Sequence, residues 1–119
     1  MNAVFDTNIL IDYLNGDRRS KEEFERYDEL HISIITQIEI LVGARSGREE
    51  IELAGFLSRF KTHAIDGEMA KETVRVRRKF KMRIPDAIIK ATAERLGYVL
   101  VTRNTKDFSR KWPDIRVPY

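Results

Sequence analysis

Short apolar runs alternate along this chain with segments whose apolar residues recur at helical spacing. The clearest runs are Ala3 to Phe5, Leu30 to Ile35 and Tyr98 to Thr102. Strands separated by helices usually pair in the same direction, so this order predicts an α/β fold with a mostly parallel central sheet flanked by helices. The chain has 119 residues, 42% of them hydrophobic, and we expect residues 1–119 to form a single domain.

The helical segments are marked by their spacing and by the residues at their ends. Met69, Thr73 and Val76 recur every three or four residues and would face the core. Pro85 is typical of a helix start and Gly97 of a helix end. The predicted helices span residues 8–14, 19–27, 36–45, 49–60, 69–80 and 85–96, and further extended pieces are predicted at 62–65 and 115–117.

Four acidic residues stand close to the ends of these elements. Asp6, Glu39 and Asp107 each follow a predicted strand directly or within a few residues, and Asp86 begins the helix that leads into the strand at Tyr98. The carboxyl ends of parallel strands form one edge of a sheet, and ligands bind at that edge. We therefore expect the four carboxylates to converge in one cleft, provided that the helix of Asp86 begins at the same edge.

Each acid also has a local structural explanation. Asp6 suits the N-cap of a helix, an interaction worth about 1 kcal/mol, and Asp107 could cap a short turn. Thr36 and Glu39 match a capping box, which for Glu39 alone is the stronger interpretation. At a helix start, Asp86 would gain about 0.3–1 kcal/mol from the helix dipole. These local interpretations do not account for the common location of the acids.

Converging carboxylates repel one another, so such a cluster normally binds a cation. Hard oxygen ligands suit Mg²⁺ or Mn²⁺, which would lower the pKa of a bound water and neutralise charge on a phosphate. The chain has no cysteine, which excludes disulfides, thiolate metal sites and cysteine nucleophiles. His31 and His63 lack a partner at ligand spacing, so the sequence disfavours zinc.

Positive charge is concentrated in residues 67–83. This segment contains seven Lys or Arg and two Glu, a net charge of +5, so the remainder of a chain whose total is +3 carries −2. A basic segment beside an acidic cluster suits a ligand with a phosphate backbone, and Arg77 and Lys81 are the candidate contacts within it. Taken alone, a charged run is more often a solvated helix face.

Several classes of protein are disfavoured by what the sequence lacks. No apolar run approaches the roughly 20 residues of a membrane span, and the first residues do not resemble a signal peptide. There is no glycine-rich phosphate loop and no G-x-S-x-G motif. We therefore expect a cytoplasmic protein with no membrane partner.

The segments that carry the four acids together resemble a known family. They are Val4 to Leu10, Ser33 to Glu39 with Gly43, Ile84 to Ala93 and Leu100 to Phe108, in this order. With these segments the chain resembles the PIN-domain ribonucleases, and more closely the VapC toxins of bacterial and archaeal type II toxin–antitoxin pairs. The resemblance implies a metal-dependent endoribonuclease with a small parallel sheet between helices.

The resemblance assigns an acidic site to Asp6, Glu39, Asp86 and Asp107. It implies that Asp6 and Asp86 are the best candidates for direct metal contact, with Asp107 as the next candidate. Glu39 would hold or activate the attacking water. The residues that would orient the acids or touch the scissile phosphate are Thr7, Asn8, Thr102 and Asn104. The candidate RNA contacts are Arg77, Lys81 and Arg103. The resemblance also implies a homodimer, an antitoxin protein that blocks the cleft, and higher assemblies with that antitoxin.

One position departs from a common form of the family pattern, and two other functions stay open. Asn104 stands where many relatives carry a further aspartate; an amide can ligate a metal or hold a water but cannot act as a base. The alternatives are a PIN nuclease of RNA processing or DNA repair, and a non-catalytic domain that binds RNA or protein. A phosphatase is disfavoured, because Asn8 stands where a second aspartate would be expected after Asp6.

Overall fold

The computed structural model describes every residue from Met1 to Tyr119. Its strands are β1 (Asn2–Phe5), β2 (Glu29–Ser33), β3 (Lys61–His63), β4 (Val99–Val101) and β5 (Ile115–Arg116). Its helices are α1 (Thr7–Leu14), α2 (Arg18–Phe24), α3 (Ile34–Val42), α4 (Gly47–Leu57), α5 (Gly67–Phe80) and α6 (Ile84–Leu96). None of the six helices has both the length and the apolar character needed to cross a bilayer.

The five strands form one sheet in the order β3-β2-β1-β4-β5, and every pairing is parallel. β1 lies at the centre, where Val4 is in register with His31 of β2 and with Leu100 of β4. The chain builds the sheet outwards from β1 in one direction and then returns to build it in the other. The change of direction between β1 and β4 is a topological switch point, the usual position of a ligand cleft in such sheets. The predicted fold class is confirmed.

Hydrophobic cores cover both faces of the sheet. On one face, Phe5 packs edge-to-face against Phe24 and Tyr27, with ring centroids 4.9 and 5.6 Å apart. On the other face, Val4 and Leu100 pack with side chains of α5 and α6. Alternate residues of a strand point to opposite faces, so β1 is buried on both sides.

The start of α3 differs from the prediction in a way that matters for the site. β2 ends at Ser33 rather than at Ile35, because the Ser33 side chain accepts a hydrogen bond from the Ile35 N–H at 3.1 Å and so caps α3. The capping box predicted for Thr36 and Glu39 is therefore wrong. Glu39 lies in the second turn of α3, too far from the helix start to cap it.

Other boundaries differ from the predictions by up to three residues. α2 ends at Phe24 instead of residue 27, α4 spans Gly47–Leu57 instead of 49–60, and the extended piece predicted at 62–65 is β3. His63 therefore lies in a strand, and its Nε2 is 2.8 Å from Nδ1 of His31. This contact between the neighbouring strands β2 and β3 could not be predicted from the spacing of the two histidines.

α6 runs in the direction that brings Asp86 to the same edge of the sheet as the other acids. The helix begins at Ile84, with Pro85 in its first turn, and ends at Gly97, whose φ of 72° is left-handed. Gly97 and Tyr98 lead directly into β4, which starts at the amino edge of the sheet. The other end of α6, which carries Asp86, therefore lies at the carboxyl edge.

The packing around β1 leads to a first prediction. Phe5→Ala should lower the free energy of unfolding by about 3–5 kcal/mol, since it empties a fully buried aromatic site. The measurement is urea-induced unfolding followed by circular dichroism. As a control, Ile51→Ala removes a side chain that is 74% exposed on α4 and should change stability by less than about 0.5 kcal/mol. Similar losses in the two variants would contradict this core.

Candidate active site at the carboxyl edge of the sheet

Asp6 lies at the junction of β1 and α1, where the central strand reaches the carboxyl edge. Its Oδ1 accepts a hydrogen bond from the Thr7 N–H at 2.8 Å, so the predicted N-cap of α1 is confirmed. Its Oδ2 accepts hydrogen bonds from the Thr102 hydroxyl at 2.7 Å and from Nδ2 of Asn8 at 3.1 Å. Asp6 is therefore both a helix cap and a carboxylate oriented by residues of α1 and of the segment after β4.

Burial is the main influence on the charge of Asp6. The residue is 5% exposed, and the loss of hydration raises the pKa of Asp6 to about 6, although hydrogen bonds from Thr102 and Thr7 act to lower it. The nearby carboxylates of Asp86 and Glu39 raise it further. A carboxyl group with such a pKa in a cleft is typical of a functional site.

Glu39 reaches the cleft from α3 through a contact with α1. Its Oε1 accepts a hydrogen bond from the Thr7 hydroxyl at 2.7 Å, and the same hydroxyl oxygen lies 2.9 Å from Oγ1 of buried Thr36. Glu39 lines the same cleft as Asp6. α3 begins at Ile34, two residues before the predicted start, and Glu39 therefore lies at the cleft and does not cap the helix.

Asp86 lies in the first turn of α6 and lines the cleft with Asp6 and Glu39; the cleft has a volume of about 340 Å³. Its Oδ2 is buried and accepts no hydrogen bond; the only cation near this oxygen is the exposed Arg83 guanidinium, 3.6 Å away. Burial raises the pKa of Asp86, the charge of Asp107 raises it further, and Arg83 acts in the opposite direction. A buried carboxylate oxygen without a donor is destabilising, and a cation would satisfy it.

Asp107 lies in the turn after β4, at the rim of the cleft. Its Oδ2 accepts a hydrogen bond from Nδ2 of Asn104 at 2.9 Å, and its backbone N–H donates to Oδ1 of Asn104 at 3.2 Å. It does not line the cleft itself, although its carboxylate is 3.9 Å from the Arg83 guanidinium and its charge acts on Asp86. Of the four predicted acids, Asp107 is therefore the peripheral one.

The polar residues predicted to support the acids all lie in this site. The Thr102 hydroxyl, which donates to Asp6, accepts a hydrogen bond from the Asn104 N–H at 3.0 Å and lies 3.3 Å from Nδ2 of Asn8. Each supporting side chain contacts one acid directly. The contacts are Thr7 with Glu39, Asn8 and Thr102 with Asp6, and Asn104 with Asp107.

The chemistry of the donors fits a hard divalent cation. Carboxylate oxygens are its preferred ligands, and Oδ2 of Asp86, which accepts no hydrogen bond, is an oxygen that such an ion would satisfy. As the side chains stand, no three carboxylate or imidazole groups are arranged to hold a metal ion together. An ion held by Asp6 and Asp86 would therefore keep several waters, as Mg²⁺ commonly does in proteins.

Arg83 is a site residue that sequence analysis counted only in the charge of the basic segment. It immediately precedes α6, and its exposed guanidinium lies between the carboxylates of Asp86 and Asp107. The available signal was its position three residues before Asp86 at a helix start, a spacing at which side chains meet. Arg83 places a positive charge at the mouth of the acidic cleft.

The three candidate RNA contacts differ in how their charges are paired. Arg77 lies in the last turn of α5 and Lys81 ends that helix with a left-handed φ of 55°; both are exposed and neither forms a salt bridge. Residues 81–83 alone separate α5 from α6, so this end of α5 is close to the cleft. Arg103, in contrast, forms a bidentate ion pair with Asp12, at 2.5 and 2.9 Å.

Comparison with known proteins identifies the family of this chain. Residues 3–111 match the family model of the PIN domain. The chain is 34% identical to the ribonuclease VapC1 of Methanocaldococcus jannaschii over 112 residues, which cover 90% of this chain and 79% of the relative. The chain therefore belongs to the PIN-domain family and, within it, to the VapC ribonucleases. The resemblance identified in the sequence is confirmed.

Solved structures show the same similarity in three dimensions. A chain of a toxin–antitoxin complex from Klebsiella pneumoniae is 42% identical and superposes with a TM-score of 0.91 over 98% of both chains. A chain of the DNA-bound VapBC complex from Salmonella typhimurium is 28% identical, with a TM-score of 0.80 over 98% of this chain and 96% of that one. The similarity extends over the whole α/β domain.

The raised pKa of Asp6 leads to a prediction about stability and pH. The folded protein holds the Asp6 proton up to about pH 6, whereas the unfolded chain releases it near pH 3.8. Between these values the folded state binds more protons, so the contribution of Asp6 to stability falls as pH rises. Asp6→Asn should therefore gain stability relative to the parent across this range, by about 3 kcal/mol in total.

The measurement is urea-induced unfolding of both proteins at several pH values, with a chelator present to keep divalent metals out. The difference between the two proteins isolates the titration of Asp6 from that of the other acids. A difference that does not change between about pH 4 and pH 6 would contradict the pKa given for Asp6.

Proposed function

We propose that this chain is a Mg²⁺- or Mn²⁺-dependent endoribonuclease and the toxin of a type II toxin–antitoxin pair. The observation that carries the proposal is the cleft shared by Asp6, Glu39 and Asp86, in which a buried oxygen of Asp86 has no donor. Similarity to a ribonuclease named VapC1 supports the reaction and the substrate class. Similarity to chains of toxin–antitoxin complexes supports the biological role.

The acids have different tasks in this proposal. Asp6 and Asp86 would hold the metal, with Asp107 contributing from the rim. The bound ion would lower the pKa of a water and neutralise charge on the phosphate. Glu39, which the Thr7 hydroxyl holds in place, would accept a proton from the attacking water.

The hydrogen bonds of Asp6 support its role as a ligand. A carboxylate offers about four lone pairs; Oδ2 accepts from Thr102 and Asn8, and Oδ1 accepts only from the Thr7 N–H. One lone pair on Oδ1 therefore remains available to a cation. All three donors are neutral, so they orient the carboxylate without cancelling its charge.

RNA would approach the cleft past the end of α5. Arg83 stands at the mouth of the cleft, and the unpaired charges of Arg77 and Lys81 lie on the segment that leads to it. These cations would contact phosphates on either side of the scissile bond. Single-stranded or looped RNA fits this approach, because its backbone can bend into a cleft.

The antitoxin would cover an apolar groove that adjoins the cleft. Ile11 and Leu14 of α1, which are 46% and 41% exposed, line this groove with Ile40 of α3 and Leu53 of α4. Ile11 and Glu39 line both the groove and the cleft. An apolar antitoxin segment bound in the groove would therefore lie against the acids and block access to them.

The remaining predictions concern assembly, location and alternative functions. The homodimer, its higher assemblies and the cytoplasmic location stay predictions. No observation favours a role in RNA processing or repair over the toxin role. The presence of all four acids with their supporting side chains argues against a non-catalytic binding domain.

The proposed roles of Asp6 and Asp86 can be tested by cleavage of total cellular RNA with Mg²⁺ or Mn²⁺. Asp6→Asn and Asp86→Asn should each reduce the rate by at least about 100-fold while the variants stay folded, since each removes a charge needed in the transition state. Glu50→Gln, at an exposed and unpaired position of α4, serves as the control and should cleave normally. Normal cleavage by Asp6→Asn would refute the site, and a parent protein inactive with both metals would favour the binding domain.

The basic segment generates a prediction about affinity. Arg77→Ala and Lys81→Ala should each weaken RNA binding and lower the slope of log affinity against log salt by about 1, because each removes one phosphate contact. Binding is measured by fluorescence anisotropy with the Asp6→Asn protein, so that the RNA is not cut. Arg48→Ala, an exposed arginine paired with Glu52 on α4, is the control. If the slopes of Arg77→Ala and Lys81→Ala equal that of the parent, residues 67–83 form a solvated helix face that does not contact RNA.

A further inference from the structure

We infer that Arg103, held by Asp12 and Tyr119, is a positioning residue for the carboxylate of Asp6 and not an RNA contact. The inference rests on the proposed function, because it concerns how that active site is held. It is carried by a continuous series of hydrogen bonds that runs from Tyr119 to Asp6.

Arg103 attaches the segment after β4 to α1 at two points. Its backbone N–H donates to Oδ1 of Asn8 at 3.1 Å. Its guanidinium donates from Nε and Nη2 to the two carboxylate oxygens of Asp12, at 2.5 and 2.9 Å. Asn8 and Asp12 are four residues apart on α1 and therefore share one face of the helix. Two attachments one turn apart fix the Arg103 backbone relative to α1.

The backbone contact of Arg103 determines which way the Asn8 amide points. A backbone N–H can only donate, so the group that faces it must be Oδ1 of Asn8. The Nδ2 group is then turned towards Asp6 and Thr102, where it donates to Oδ2 of Asp6 at 3.1 Å. With the amide reversed, Oδ1 of Asn8 would face Oδ2 of Asp6, and two acceptors would repel each other. Asn8 is therefore a donor to Asp6 because Arg103 is in place.

Asp12 is held in place by a second contact, and this stabilises its ion pair with Arg103. The Tyr119 hydroxyl donates to Oδ2 of Asp12 at 2.7 Å, and the Arg19 guanidinium lies 4.4 Å from the centre of the Tyr119 ring. The Asp12 side chain is only 13% exposed. If Arg103 moved to a phosphate, a largely buried carboxylate would lose its cation, and such a loss is costly.

The two roles of Arg103 predict opposite effects of one substitution. If Arg103 binds RNA, Asp12→Asn releases its guanidinium, and RNA binding tightens. If Arg103 positions Asp6, Asp12→Asn loosens the segment, and kcat falls by about 10- to 100-fold while KM is unchanged. Arg103→Met should then show the same loss of kcat, and the double variant should be no worse than either single one, because both act through one interaction.

Arg110→Met and Glu50→Gln are the matched controls, since both remove a charge from an exposed position without a salt bridge. Both should retain the kcat of the parent. Tyr119→Phe removes only a hydroxyl and leaves the ion pair, so it should fold normally and lower kcat in the same direction by a smaller factor. It keeps the test decisive if Asp12→Asn or Arg103→Met unfolds.

A second measurement does not depend on activity. The side-chain amide signals of Asn8, recorded by ¹⁵N NMR on the metal-free protein, should shift in Asp12→Asn, Arg103→Met and Tyr119→Phe and stay unchanged in Arg110→Met. Tighter RNA binding by Asp12→Asn with an unchanged kcat would overturn the inference, as would Asn8 signals that never move. A parent protein that does not cleave RNA would contradict the proposed function instead, and the NMR comparison would still test the positioning role.

Discussion

β1 has a paired strand on each side and a hydrophobic core on each face, so Ala3, Val4 and Phe5 are fully buried. A strand enclosed in this way fixes the residue that follows it, and Asp6 is held at the switch point between β1 and β4. Because the strands are parallel, β4 ends at the same edge and presents Thr102 to Asp6. β2 ends there too and leads into α3, which carries Glu39. The site is therefore a consequence of strand direction more than of any one loop.

This arrangement has a cost in stability that the local hydrogen bonds reduce only in part. Asp6 has three neutral donors, yet its pKa is raised to about 6 by burial, and Oδ2 of Asp86 has no hydrogen bond, only the Arg83 guanidinium 3.6 Å away. The cation that faces the acids is the exposed side chain of Arg83, which can be displaced. Neutral donors and an exposed counter-ion orient the carboxylates while leaving their charge for a ligand. Active sites commonly lower the stability of the folded protein in this way, because the groups that bind a ligand are left incompletely compensated.

The fold and the positions of the acids could be predicted because both depend on local patterns and on strand order. The start of α3 could not, since Ile34 and Ile35 continue the β-branched pattern of β2 and both Ser33 and Thr36 are good caps. Side-chain contacts between segments that are distant in the sequence could not be predicted either. The ion pair of Arg103 and Asp12 joins residues 91 positions apart, and the spacing of residues along the chain does not indicate such a pair.

Asn104 shows how one amide shapes the charge of the cleft. Its Nδ2 donates to the carboxylate of Asp107 and its Oδ1 accepts from the Asp107 N–H, so it holds the turn through both ends of its side chain. An aspartate here, as the family resemblance allows, would keep the second contact but replace the first by repulsion between two carboxylates. That repulsion would demand an additional cation at the rim. With Asn104, the turn is held without one, and the carboxylates left to bind a cation are those of Asp6 and Asp86, whose Oδ2 accepts no hydrogen bond.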